Sequence, residues 1–312
     1  MAALPQRSLG ALGPEVSVIG LGCNNFGRRV DVAGTRAVVD AALDAGITFF
    51  DTSNTYGDPR GRSEEFLGEV LDGRRDRVVL ATKFGMDMGD GLGPRGSGAY
   101  VRQAVQASLG RLRTDVIDYY WYHQPDGVTP ISETLEALDG LVRAGTVRYI
   151  GASNFTAEQI EEAHAVARER GFTPFTAIQN NYSLLVREAE RDVLPTCERL
   201  GLGFVPFFPL ASGLLTGKYR RGEAAPSGTR LAARERVGTD EQFDVVEAVE
   251  RFAAEREVSM TDVAIGALLA RPAVSTVIAG ATMPEQVLSN AAAARWTPSD
   301  GDLAELEEAL SP

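Results

Sequence analysis

Short apolar runs alternate with amphipathic stretches along most of this chain. Residues 7 to 18 come first, with Gly10, Gly13 and Pro14 between short apolar pieces, and predict a small hairpin. Eight apolar runs then read as buried strands: Val18–Gly22, Ile47–Asp51, Val78–Lys83, Val116–His123, Val147–Ser153, Phe175–Asn181, Gly203–Phe208 and Val274–Ala279. Helical patterns fill the intervals near Thr35–Ala45, Ser63–Leu71, Tyr100–Leu112, Ile131–Ala144, Ala157–Arg170, Glu188–Leu200 and Asp262–Ala270, and a last one lies near Pro284–Ala294.

Punctuation supports these boundaries. Gly46, Gly145 and Gly201 stand just past predicted helix ends, each with a charged residue in the last turn. Thr114-Asp115, Ser132 and Thr156 stand where caps or turns belong. Short apolar strands joined by helices mean parallel pairing with right-handed crossovers. Eight such units predict a closed (β/α)8 TIM barrel, the α/β class, with an open doubly wound sheet as the alternative. No linker or low-complexity segment divides the chain, so residues 1–312 read as one domain. Two loops exceed what such units need, Phe84–Gly98 and Ala211–Asp240, and both follow strands, which puts them on the barrel's C-terminal face.

Composition narrows the function. A net charge of -12 argues against nucleic-acid binding, which needs a basic surface. Cys23 and Cys197 are the only cysteines and have no pair spacing, so neither a disulfide framework nor a cysteine zinc site follows. Two histidines, His123 and His164, are too few for a histidine-rich metal centre, and His164 falls on a predicted outer helix as a surface residue. The first residues carry no apolar signal core, and no run approaches the ~20 residues a membrane helix needs. A cytoplasmic protein without membrane partners is the expectation, with its oligomeric state open.

The candidate chemistry gathers at strand ends. Asp51 ends the second barrel strand, Tyr56 follows on its loop, Lys83 ends the third and His123 the fourth. Consecutive barrel strands are neighbours, so these tips converge. A free phenol titrates near about 10 and a free ammonium near about 10.4. An ammonium beside Tyr56 is expected to lower the phenol's pKa, and a carboxylate beside the ammonium keeps it charged and fixed. With a neutral imidazole to hold a carbonyl oxygen, the set makes a general acid for an oxygen becoming an alkoxide.

Phe50-Asp-Thr-Ser-Asn-Thr-Tyr-Gly57, Ala81-Thr-Lys-Phe84, Ile117–Asp126, Val147–Phe155 and Leu214-Leu-Thr-Gly-Lys-Tyr219 carry a resemblance to the aldo-keto reductase family, running from residue 7 to residue 294. The resemblance implies a catalytic tetrad of Asp51, Tyr56, Lys83 and His123, and reduction of a small carbonyl substrate by NADPH. It implies nicotinamide contacts from Ser153, Asn154 and Gln179, with Phe207 stacked on the ring. Pro209, Leu210, Ala211, Ser212 and Gly213 would wrap the pyrophosphate, and Gly280, Thr282, Gln286 and Asn290 would hold the adenosine end. A strand ending in Gly280 before a helix start is also an anion site in its own right. Cys23 and Asn24, after the first strand, are expected at the nicotinamide end, with plain packing as the other reading of Cys23.

The chain departs from the family pattern at three positions. Phe208 replaces a frequent serine, Gln286 a frequent arginine and Ser289 a frequent acid, which leaves NADH open beside NADPH. A compensating feature is Gly217–Arg236, where Lys218, Arg220, Arg221, Arg230, Arg234 and Arg236 face Glu223 and Glu235, a net of +4. It reads either as a solvated loop or as a cationic flap over cofactor phosphates, with Lys218 and Arg230 the best-matched contacts. Gly91-Leu-Gly-Pro-Arg-Gly96 satisfies G-x-G-x-x-G but follows no strand directly and holds Pro94, so it is expected to be a plain loop. Phe26, Trp121 and Phe84 read either as apolar pocket walls or as core. Two other readings remain: an aldolase or isomerase with Lys83 as Schiff-base nucleophile, and a barrel that holds NADPH as a redox sensor with weak turnover.

Overall fold

The computed structural model describes residues 4–232 and 237–310. An antiparallel hairpin comes first, β1 (Gln6–Ser8) paired with β2 (Glu15–Ser17). Eight parallel strands follow: β3 (Ile19–Gly22), β4 (Phe49–Asp51), β5 (Val79–Phe84), β6 (Ile117–Tyr122), β7 (Val147–Ser153), β8 (Ala177–Gln179), β9 (Gly203–Phe204) and β10 (Val277–Gly280). Each of β3 to β8 pairs with the next, and β10 pairs with β3. The last gap closes at the parallel bridge between Phe204 and Val274, where Phe204 N–H donates to Ala273 O at 2.7 Å and Ser275 N–H to Phe204 O at 3.0 Å. The sheet is therefore the expected (β/α)8 ring rather than an open one.

Helices cover the outside: α1 (Val32–Asp44), α2 (Arg62–Val70), α3 (Gly98–Leu112), α4 (Ile131–Arg143), α5 (Ala157–Arg170) and α6 (Val193–Leu200). After β9 come α7 (Asp240–Glu255) and α8 (Met260–Leu269), and after β10 come α9 (Pro284–Ala293) and α10 (Asp300–Leu310). Gly46, Gly145 and Gly201 all take left-handed φ, at 82°, 74° and 67°, as helix-ending glycines must. Thr156 caps α5 in a reciprocal box with Gln159. Ser132 lies inside α4, whose cap position is Pro130. Thr114 serves a turn, its hydroxyl on Val116 O at 3.2 Å.

Helices α7 and α10 depart from the sequence reading, which assigned neither. They form a second layer against α8. Phe243, Val246, Val249 and Phe252 of α7 and Leu306 of α10 pack with Leu214, Leu215 and Tyr219 in a cluster apart from the barrel core. Strand β9 is also shorter than predicted, because Pro206 has no N–H for the ladder and Phe208 turns the chain at φ 55°. No described helix is long and apolar enough to cross a membrane.

Within the ring, Phe49, Ala81, Tyr119, Trp121, Ala177, Val205 and Ile278 form an inner layer, plugged from below by Leu9 and Val16 of the hairpin segment. Trp121, Phe26 and Phe84 are fully buried in packing, so of the two readings the structure has core for all three. Trp121 fills the barrel interior against Tyr119 at 4.3 Å between centroids, and Phe84 stacks on Tyr122 outside the ring. Gly151 gives the indole its room: a Cβ there would lie 2.5 Å from Trp121 and 2.7 Å from Ala177 O.

Two glycines should therefore respond with opposite sign. Gly151→Ala should destabilise by about 1–3 kcal/mol through overpacking. Gly140→Ala, in open space on exposed α4, should stabilise by about 0.5–1 kcal/mol through helix propensity. Urea unfolding midpoints at constant slope check both.

Candidate active site

The strand ladder itself assembles the tetrad. Register sets Asp51 beside Ala81 and Lys83 beside Trp121, so the tips of β4, β5 and β6 rise together. The loop after β4 is stitched to β5, with Thr52 N–H on Ala81 O at 2.9 Å and Asn54 N–H on Lys83 O at 3.2 Å. Tyr56 O accepts from Gly61 N–H at 3.1 Å and Ser63 N–H at 3.2 Å, which fixes the tyrosine's backbone. His123 N–H donates to Phe84 O at 2.7 Å.

At the centre Lys83 is completely buried and Asp51 nearly so. The Lys83 ammonium makes a close ion pair with Asp51 Oδ2, donates to Thr52 O at 2.8 Å and reaches Tyr56 Oη at 3.4 Å. Gln179 Nε2 crosses from β8 to donate to Asp51 Oδ1 at 3.1 Å. Buried charges persist only when paired and hydrogen-bonded, and here each side has its partners. His123 sits edge-on to Tyr56, 5.9 Å between ring centroids, with Nδ1 3.1 Å from Ser53 Oγ.

The electrostatics correct one expectation. Burial pushes the Tyr56 phenol up, and although Lys83 pulls it down, Asp51 adds to the rise and the net shift is upward. Tyr56 is thus a firmly protonated acid rather than a phenol poised to ionise. Burial alone would favour a neutral Lys83 amine, but Asp51 and Tyr56 outweigh it and hold the ammonium charged. Asp51 is raised by burial, against the pull of Lys83 and the hydrogen bonds from Lys83 and Gln179. Burial, with Lys83 next, drives His123 well below its usual range, so the imidazole is neutral. Burial likewise raises Cys23 far up, which makes it an inert thiol packed under the site.

A cavity of about 860 Å³ opens beside the tetrad, within the range of cofactor-sized clefts. Asp51, Tyr56 and His123 line one end, with Cys23, Asn24, Thr55 and Met86 near them. Asn154, Gln179 and Phe207 continue the wall, then Pro209, Leu210, Ser212 and Gly213, with Lys218 and Arg230 beyond. Gly280, Thr282, Gln286 and Asn290 complete it from β10 and α9. Two of the residues implied by resemblance do not reach the wall. Ser153 is buried behind Asn154, which donates to its Oγ at 3.2 Å and to His123 O at 2.9 Å, and Ala211 packs against the cluster of α7 and α8. Asn25, Arg29, Thr216 and Ser227–Thr229 also line the cavity, and sequence reasoning did not name them. The asparagine-and-glycine turn after β3, Asn24-Asn-Phe-Gly27, was the available signal for the first two.

The basic stretch divides. Lys218 and Arg230 face the cavity, Arg230 over the Phe208 ring at 5.0 Å. Arg220 instead pairs with Glu250, and Arg221 with Asp244 and Glu247, all on α7. Those two cations are anchors for the loop, not a flap over the cavity. Arg234, Glu235 and Arg236 lie outside the described residues. Gly91–Gly96 is a loop remote from the cavity lining, and Asp118 is buried between Arg75 and Arg148. His164 is on outer helix α5.

Comparison with known proteins agrees with this construction. The profile of the Aldo/keto reductase family matches residues 18–311. The chain is 39% identical over 289 residues to the uncharacterized oxidoreductase YrpG of Bacillus subtilis (strain 168), covering 89% of this chain and 87% of that protein. It is 35% identical over 298 residues to a probable voltage-gated potassium channel subunit beta of Oryza sativa subsp. japonica, covering 91% and 89%. A profile match over nearly the whole length, on a closed barrel with these strand tips, identifies the chain as a member of the aldo/keto reductase family and a general oxidoreductase.

Proposed function

We propose that the protein reduces an aldehyde or ketone to an alcohol with NADPH, using Tyr56 as the general acid. The observation that carries this reading is the buried Lys83 ammonium, held between Asp51 and Tyr56, both of which line a cofactor-sized cavity.

The cavity's donors fit a dinucleotide. Asn24 Oδ1 is buried without a hydrogen-bond partner and lines the cavity. A Cβ on Gly280 would crowd Asn24 Oδ1 at 3.4 Å and Asn25 Nδ2 at 3.3 Å, so the missing side chain keeps that wall open to close approach. Gln179 and Asn154 offer amides for a nicotinamide, and Phe207 offers a ring. Lys218 and Arg230 supply positive charge for phosphates, which favours NADPH while the departures at Gln286 and Ser289 keep NADH as the weaker alternative.

Bound there, the cofactor would supply hydride to a carbonyl carbon. The protein's part is the oxygen. Tyr56 Oη donates its proton to the developing alkoxide. Lys83, 3.4 Å from that oxygen, stabilises the phenolate left behind. Asp51 and Gln179 hold Lys83 in place, and neutral His123 orients the carbonyl oxygen without competing for a proton. The Schiff-base reading loses support here, because a lysine paired with Asp51 and held as ammonium is a poor nucleophile.

The potassium channel beta relative favours a second reading, a regulatory barrel in which NADPH binding and slow turnover report redox state. Two buried free cysteines fit a reducing, cytoplasmic setting for either. A panel of aldehydes, ketones and sugars followed at the nicotinamide absorbance separates them. Efficient turnover of at least one panel member by the wild type supports the reductase. Tight NADPH binding with only slow turnover of every member supports the regulatory barrel.

Tyr56→Phe should cut carbonyl reduction by roughly 10²–10⁴-fold, the usual contribution of a placed acid, with NADPH affinity by calorimetry unchanged. Turnover like wild type would remove Tyr56 from the mechanism. The pH profile follows from the shifts. Tyr56 lies above its ordinary value of about 10 and His123 well below about 6.5, so neither changes state between those limits. Reduction should be flat across that window and fall above it as the phenol loses its proton. An inflection near neutrality would contradict the assignment.

A further inference from the structure

Ser53 lies two residues past Asp51 and is fully buried, yet no step above uses it. Its Oγ sits 3.1 Å from His123 Nδ1, the only side-chain hydrogen bond to that ring among the described residues. Its other partners favour one direction for that bond. Thr55 N–H donates to Ser53 Oγ at 3.3 Å and so takes one of its two lone pairs. Thr55 Oγ1, 3.0 Å away, can fill the second by donating. The hydroxyl proton then has two targets. Asn54 Oδ1 is at 3.5 Å, the edge of hydrogen bonding, and His123 Nδ1 is nearer.

We propose that Ser53 is a positioning residue for the reductase, its hydroxyl donating to His123 Nδ1 and so holding the imidazole as the Nε2–H tautomer. The assignment rests on the reductase reading for its purpose, though not for its geometry. A neutral imidazole has one donor and one acceptor nitrogen, and the bond made by one fixes the role of the other. With Nδ1 turned to Ser53, Nε2 is left for the cavity that His123 lines. An Nε2–H there donates to a carbonyl oxygen. The opposite tautomer would present a lone pair to the same oxygen and repel it.

The rest of the surroundings leave the ring's tautomer to Ser53. His123 N–H and O are engaged by Phe84 O and Asn154 Nδ2, which fix the backbone but not the ring. Tyr56 meets the ring edge-on, and the nearby Lys83 ammonium disfavours a second positive charge without choosing between nitrogens.

The chain has only two histidines, so long-range nitrogen NMR on ¹⁵N-histidine protein, without cofactor, reads His123 directly with His164 of α5 as reference. In wild type, His123 should show a hydrogen-bonded, pyridine-like Nδ1 and a pyrrole-like Nε2 throughout neutral pH. Ser53→Ala should move the Nδ1 resonance toward a free or tautomer-averaged nitrogen. The same variant should lower kcat about tenfold, as expected for one lost hydrogen bond, with KM for NADPH unchanged. A protonated Nδ1 in wild type overturns the proposal, and so does an Nδ1 resonance that Ser53→Ala leaves in place. The wild-type spectrum decides the tautomer even if the variant does not fold. Because the spectra need no turnover, a wild type that reduces nothing would sink the reductase reading alone.

Discussion

A positive charge with no exposure to water sits at the top of this barrel, and the surrounding structure is arranged to tolerate it. Burying an ammonium without a partner is costly, and removing one member of a buried pair typically costs about 3–5 kcal/mol. Lys83 is compensated on every side: Asp51 from β4, Thr52 O from the loop, and Tyr56 beyond. Asp51 in turn is held by Gln179 from the far side of the ring. These partners come from strands far apart in sequence, so only the closed parallel sheet unites them. The fold and the chemistry are one constraint seen at two scales.

That arrangement explains the division of labour. Lys83 is held as the ammonium by Asp51 and Tyr56, while the two groups that would handle substrate, Tyr56 and His123, are both held neutral. A neutral acid and a neutral imidazole facing an oxygen suit a step in which negative charge develops there. Farther along, the cavity wall carries Arg29, Lys218 and Arg230 together with Glu285, in a chain of net charge -12.

Much of this was legible before any coordinates. The apolar runs placed all eight strands, and the left-handed glycines marked where helices stop. The tetrad was legible because Asp51, Lys83 and His123 stand at the ends of consecutive strands and Tyr56 on the loop after the first of them. What escaped did so for identifiable reasons. Helix α7 has the 3.6-residue apolar rhythm of Phe243, Val246, Val249 and Phe252, and Thr239 with Gln242 forms a capping box, but it follows a long loop and was absorbed into it. Ser299 and Asp302 carry a similar signal before α10. Trp121 could not be placed, because a strand buried on both faces shows no alternation to tell inside from outside. In β6, Tyr119 and Trp121 point into the ring while Tyr120 and Tyr122 meet the helices. The direction of the Tyr56 shift depended on burial competing with an ammonium 3.4 Å away, a contest that only distances decide.

The central claim is that Asp51 acts through Lys83 rather than on its own. A double-mutant cycle with Asp51→Asn, Lys83→Met and the pair, read on the rate of carbonyl reduction, tests it directly. The account predicts that the double variant is no slower than Lys83→Met alone, since without the ammonium the carboxylate has nothing to hold. Losses that multiply across the two sites would mean independent roles and would contradict it.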